Sequence, residues 1–117
     1  MARNEQSVDL EHLNRYTGGN YALNEEILNL FATQCHEMME RLESLATGDA
    51  DAKSWRETTH TLKGAARGIG AFALGNAAAE AEKTCGERPS ALSALEGLKS
   101  SSVAVYLFIE QFLKDGR

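Results

Sequence analysis

Residues 24–48 read NEEILNLFATQCHEMMERLESLATG, and this stretch decides the fold. Leu28, Phe31, Cys35, Met38, Leu42 and Leu45 step by three and four. Side chains at that spacing share one face of an α-helix, so the stretch predicts a long amphipathic helix that packs against others. Asn24 suits the N-cap, and Glu25 and Glu26 suit a first turn where the helix dipole favours anions. Gly48 ends the segment.

The pattern repeats on both sides. Upstream, Leu10, Leu13 and Tyr16 follow Asp9, an N-capping type, and stop at Gly18-Gly19, which predicts a short helix over residues 9–16. Downstream, a third helix opens near Asp49 or Asp51 on a seam of Ala52, Trp55, Thr59, Leu62, Ala66 and Ile69, and Gly68 and Gly70 end it. A fourth, over residues 71–84, is alanine-rich, with Leu74, Ala77, Ala78 and Ala81 able to pack closely. Gly86 marks its end and Pro89 blocks continuation. A fifth opens at Ser90 and turns Leu92, Leu95, Leu98, Val105, Phe108, Ile109 and Phe112 inward, with a kink expected at Gly97 or at residues 100–102. Lys114 suits its last turn. Nothing alternates with period two, so no sheet is expected. The fold class read from this is all-α: an antiparallel four-helix bundle over residues 8–115, capped by the short first helix and preceded by a flexible tail, residues 1–7.

Composition narrows the function. The chain has 117 residues, 43% hydrophobic and 25% charged, which is one globular domain. Twelve basic residues against seventeen acidic ones give a net charge of -5, which argues against nucleic-acid binding through bulk charge. No apolar run approaches the length of a membrane span, and residues 1–10 hold no apolar signal core. Cys35 and Cys85 have neither metal spacing nor a disulfide framework around them. The expectation is a cytoplasmic, monomeric domain, away from membranes. A domain this small is expected to bind a partner or to offer one reactive residue, rather than to house separate nucleotide and substrate sites.

That residue is His60. On the third helix the seam fills a sector roughly 100° wide, and His60 falls about 130° from its middle, so it points outward. Lys53, Arg56, Lys63, Gly64 and Arg67 share that side. Gly64 costs helix stability at such a position, by about 0.5–1 kcal/mol relative to alanine. Its bare surface, one turn from the imidazole, lets another molecule approach. Lys63, three residues on, is within reach of an anion carried by the ring. A neutral imidazole is a nucleophile near neutral pH. The plain alternative is a bland surface histidine, and the glycine and cations weigh against it in favour of a histidine that accepts phosphate.

The stretch Thr59-His60-Thr61-Leu62-Lys63-Gly64-Ala65-Ala66, continuing to Ile69-Gly70, resembles the signature of histidine-containing phosphotransfer (HPt) domains. That motif reads roughly H-x-L-K-G-[SA]-[SA] with a glycine a few residues on, and the likeness in helix placement spans residues 8 to 115. The resemblance implies a four-helix bundle that relays phosphate between receiver-domain aspartates, or takes it from a histidine kinase. It implies His60 as phosphoacceptor, Lys63 as holder of phosphoryl oxygens, Gly64 as the opening for the receiver, and Leu62 and Ala66 as packing positions. Arg56 and Arg67 are added from the helical wheel as phosphoryl or partner contacts. No cofactor and no ATP site are expected in this chain, and the Mg²⁺ is expected in the partner receiver or kinase. Some family members carry an amide on the next helix near the histidine. Here the neighbours on that helix are Asn76, Glu80 and Glu82, the sequence does not choose which, if any, orients the ring, and Glu82 would repel a phosphoryl group unless it bonds the ring N–H.

Other patterns are weaker. His36-Glu37-Met38-Met39-Glu40 lacks the second histidine of a zinc-protease helix. Residues 68–73 imitate a dinucleotide fingerprint, but a helix precedes them where a strand is needed. His12, His36 and His60 lie on three separate helices. Trp55, Phe31 and Cys35 read as core, and Cys85 as more exposed. Residues of the first helix, with Ala71 and Phe72, are candidates for a docking surface. The competing function is a helical docking module that blocks a receiver or kinase without taking phosphate.

Overall fold

The computed structural model describes residues 7–48, 51–84 and 88–115. Among them it forms five helices and no strand: α1 (Leu10–Thr17), α2 (Tyr21–Thr47), α3 (Ala52–Gly68), α4 (Phe72–Glu82) and α5 (Arg88–Asp115). The tail as far as residue 6, Asp49, Cys85 and Gly86 lie outside the described residues.

α1 starts where Asp9 accepts a hydrogen bond from the His12 backbone N–H at 3.3 Å, and ends on Gly18 in the left-handed region at φ 68°. α2 starts earlier than its pattern predicts. Its N-cap is Asn20, whose side chain accepts from the Leu23 N–H at 2.9 Å. Asn24 is not the cap. It is buried, accepting from the Thr17 hydroxyl at 2.6 Å and donating to Asn14 Oδ1 at 2.8 Å. The polar side chain therefore ties α2 to α1, and Glu25 and Glu26 fall beyond the first turn.

The seam of α2 otherwise packs as its spacing requires. Leu28, Phe31, Cys35 and Leu42 are buried, and Met38 and Leu45 pack partly buried at the edge. On α3, whose cap is Asp51, the seam residues Trp55, Thr59, Leu62 and Ala66 are buried. Two buried polar groups of α3 are paired: the Trp55 indole N–H donates to the Ala81 carbonyl at 2.7 Å, and the Thr59 hydroxyl donates to the Trp55 carbonyl at 2.8 Å. Burial pushes the Cys35 thiol and the neighbouring Tyr106 hydroxyl up from their usual ranges.

α5 runs unbroken through Gly97 and residues 100–102, with the Ser102 hydroxyl returned to the Lys99 carbonyl at 3.1 Å. It includes Pro89, in the first turn, where a missing N–H breaks no helical bond. Ala91, Leu95, Leu98, Val105, Ile109 and Phe112 face inward. Leu92 does not, being 40% exposed, because the small Ala91 occupies the inward position of that turn. Residues 90–115 are long and apolar enough to cross a membrane by length and composition, at a mean hydropathy of 1.2. Leu95, Leu98, Val105, Ile109 and Phe112 of this stretch belong to the core seam, whereas Leu92, Val103 and Leu107 are exposed.

α2 packs against α3 and α5, and α4 packs against the same two helices. The start of α3 lies by the end of α4 through Trp55 and Ala81, and its end lies by Asn76 through Arg67. These two helices therefore run in opposite directions. So do α2 and α5, where Tyr21 stacks on Phe112 at 5.1 Å and Glu43 pairs with Lys99 at 3.6 Å. α1 contacts α2, and His12 meets Phe72 edge-on at 5.1 Å. The α3–α4 turn holds the entry to α1: the Asp9 N–H donates to the Gly70 carbonyl at 2.9 Å. Gly70 has φ 89°, and a Cβ there would lie 2.6 Å from the Asp9 carbonyl oxygen, so this turn needs glycine.

Candidate functional site

The opposed course of α3 and α4 brings the last residue of α4 against the middle of α3. His60 lies one residue after the buried Thr59, so the helix turns it outward, and its side chain is 67% exposed. The Glu82 side chain is only 22% exposed and bridges two residues of α3: Oε2 lies 3.1 Å from His60 Nδ1, and Oε1 lies 2.8 Å from Lys63 Nζ. The Lys63 ammonium, and with it the imidazole hydrogen bond, holds the Glu82 carboxyl below the usual glutamate range against an opposing push from burial. An ionised carboxylate only accepts hydrogen bonds, so Nδ1 carries the ring proton. The lone pair of the neutral ring is then on Nε2, on the far side from Glu82.

Lys63, 23% exposed, leans towards α4 rather than standing free beside the ring. Gly64 presents open space, with nothing within 4 Å of the place a Cβ would occupy. Arg56 is exposed on the turn before His60. Arg67, two turns beyond His60, donates from Nη2 to Asn76 Oδ1 at 3.2 Å. Of the three residues on α4 that could orient the ring, Glu82 reaches it. Asn76 serves Arg67, and Glu80 pairs with Lys83 at 3.3 Å. Sequence reasoning named Glu82 without choosing it, and it missed Gly75, on which Arg67 lies. No local pattern selects Glu82, because its contact with His60 and Lys63 depends on how α3 and α4 are registered against each other.

The remaining histidines stand apart. His12 packs between Tyr16 and Phe72, and His36 pairs with Glu40 one turn on at 3.4 Å. Among the described residues no three histidine, cysteine or acidic side chains group closely enough to hold a metal ion. Residues 68–73 form the α3–α4 turn and the start of α4, with no strand before them.

The site is therefore a solvent-facing imidazole whose Nδ1 is bonded to a carboxylate, on a helical scaffold. The family model of the Hpt domain matches residues 26–113, and the chain belongs to that family. No curated protein sequence matches it. Among solved structures, the chain is similar to a histidine-containing phosphotransfer protein from rice, at 16% identity and a TM-score of 0.86, covering 97% of this chain and 84% of that one. At that identity the likeness establishes the fold. Family membership places the chain in histidine phosphotransfer within two-component signalling.

Proposed function

We propose that this protein is a phosphorelay intermediate: an antiparallel four-helix bundle, capped by α1, whose His60 takes a phosphoryl group and passes it on. The donor is a phosphoaspartate of a receiver domain or the phosphohistidine of a kinase, and the acceptor is a receiver aspartate. The Nε2 lone pair attacks phosphorus, an N–P bond forms, and the P–O bond to the aspartyl carboxylate, or the N–P bond to the donor histidine, breaks. The donor side chain leaves with the bonding electrons. The Nδ1 proton stays on the ring, held by Glu82, whose negative charge stabilises the cationic character the ring gains.

The observation that carries this reading is the bond from His60 Nδ1 to Glu82, which leaves Nε2 as the free nitrogen on an exposed side chain. Glu82 acts as a positioning residue. Lys63, on the other oxygen of Glu82, is near enough in sequence to turn towards phosphoryl oxygens once they arrive. Gly64 admits the partner, and Arg56 and Arg67 meet its surface. The chain works without its own ATP site or cofactor, and the partner supplies the Mg²⁺ that neutralises the transferring group. The functional unit is residues 8–115, monomeric and cytoplasmic.

The test is transfer from a panel of phosphorylated receiver domains to this protein and to its His60→Gln variant. Acid-labile label on the wild type and none on the variant, with the same helical circular dichroism, is the expected result. Label that survives His60→Gln overturns the assignment. Tight receiver binding with no label on either protein favours the docking module instead.

A further inference from the structure

Arg67 is exposed, yet its stem packs on α4 and its head is hydrogen-bonded there. Gly75 on α4 is buried, and the three atoms nearest to where its Cβ would be all belong to Arg67: Cγ at 2.7 Å, Nε at 3.3 Å and Cδ at 3.5 Å. The aliphatic stem of Arg67 thus fills the hollow that the glycine leaves, and Asn76 Oδ1 accepts from its head at 3.2 Å. Among the described residues no carboxylate pairs with this guanidinium, whereas Lys63 is neutralised by Glu82. A guanidinium has several N–H donors in a planar fork, and a single bond to a neutral amide leaves most of them unspent.

The position is as informative as the pose. Gly64 and Arg67 follow His60 at i+4 and i+7, so all three share one outward stripe of α3, with Arg67 about 10 Å along the helix axis from His60 at ~1.5 Å per residue. A partner that reaches His60 over the open Gly64 surface covers Arg67 as well. The chain carries a net charge of -5, so a fixed, unneutralised cation on this stripe is an exception to its overall charge.

We infer that Arg67, pre-positioned by Gly75 and Asn76, is a docking residue that binds a surface carboxylate of the receiver domain meeting His60. This inference rests on the reading of His60 as the phosphoryl acceptor. A receiver whose reactive group is an aspartate brings anionic surface to the encounter, and a cation held in one pose loses little side-chain freedom when it pairs. Gly75 and Asn76 are positioning residues here, acting only through Arg67.

The experiment uses whichever receiver domain labels wild-type His60 fastest, and measures its binding and transfer at several salt concentrations. Arg67→Ala is expected to weaken binding about fivefold and to flatten its salt dependence. Gly75→Ala should do much the same, because the added methyl displaces the arginine stem while improving helix propensity. In the double variant the two effects should not add. Asn76→Ala, which frees only the head, serves as the second variant should Gly75→Ala fold poorly. The Arg67 Nε–H resonance, sharp in the wild type, should move on Gly75→Ala whether or not a partner is present. An unmoved resonance overturns the positioning. A labelled wild type whose binding and salt dependence survive Arg67→Ala overturns the docking role alone. A wild type that no receiver labels or binds overturns the parent reading as well.

Discussion

Glu82 presents one carboxylate to two donors, and its protonation decides whether the imidazole of His60 is held. Its folded-state pKa lies below the usual range, chiefly through Lys63. The sign follows from linkage: a lowered carboxyl pKa means the folded state prefers the ionised form, so the contribution is present above the ordinary glutamate pKa, about 4.3. It disappears as pH falls through the lowered folded value. The stability difference between wild type and Glu82→Gln should therefore be constant near neutrality and shrink in acid, as read from thermal midpoints against pH. A difference that persists unchanged into acid would contradict an ionised Glu82. The variant should also lose its Nδ1–H tautomer preference and transfer phosphate more slowly. At this scale the outward placement of His60 and the open surface at Gly64 were legible in the sequence, because exposure follows from position on a single helix. The sequence did not single out Glu82, because that contact lies between helices and depends on their register. Nor did it disclose Gly75, whose value lies in the space it leaves for another helix's side chain.

The helices show where local patterns suffice. Three-and-four spacing located the seams of α2 and α3, since burying an apolar stripe is what those helices do. It misplaced the cap of α2, because asparagine serves equally at a cap and in a side-chain network. Only the presence of α1 shows that Asn24 serves Thr17 and Asn14 while Asn20 caps. It placed Leu92 inward because Ala91, the true inward residue, is too small to register as a seam. Two glycines separate function from folding at this scale. Gly64 sits mid-helix beside open space, so Gly64→Ala should stabilise the fold by about 0.5–1 kcal/mol in denaturant unfolding. Gly64→Gln should fold equally well and yet slow transfer by obstructing the partner. Normal transfer in Gly64→Gln would contradict close approach there. Gly70 is the converse case: Gly70→Ala should cost about 1 kcal/mol or more, through its φ of 89° and the collision with Asp9. A stability equal to wild type would mean that the α1 entry is not fastened to this turn.

Across the whole molecule, the helix arrangement is what gives the histidine its surroundings. Because α3 and α4 run in opposite directions, the end of one supplies the carboxylate and the middle of the other supplies the imidazole and ammonium. The same pairing leaves Nε2 in solvent, beside a glycine and along a stripe that ends at Arg67. The overall acidity, the lack of strands among the described residues and the small size were all legible from composition and spacing. The division of the basic stripe into a neutralised Lys63 and an unneutralised Arg67 was not, since each partner comes from α4. The central claim is that His60 accepts phosphate on Nε2 while Nδ1 remains bonded to Glu82. Nitrogen-15 and phosphorus-31 NMR of the ¹⁵N-histidine-labelled protein, phosphorylated by its receiver or kinase, tests this directly. The account predicts a phosphorus coupling to Nε2 of His60, a retained Nδ1 proton, and no phosphohistidine signal in His60→Gln. Phosphorus on Nδ1, or on His12 or His36, would contradict it.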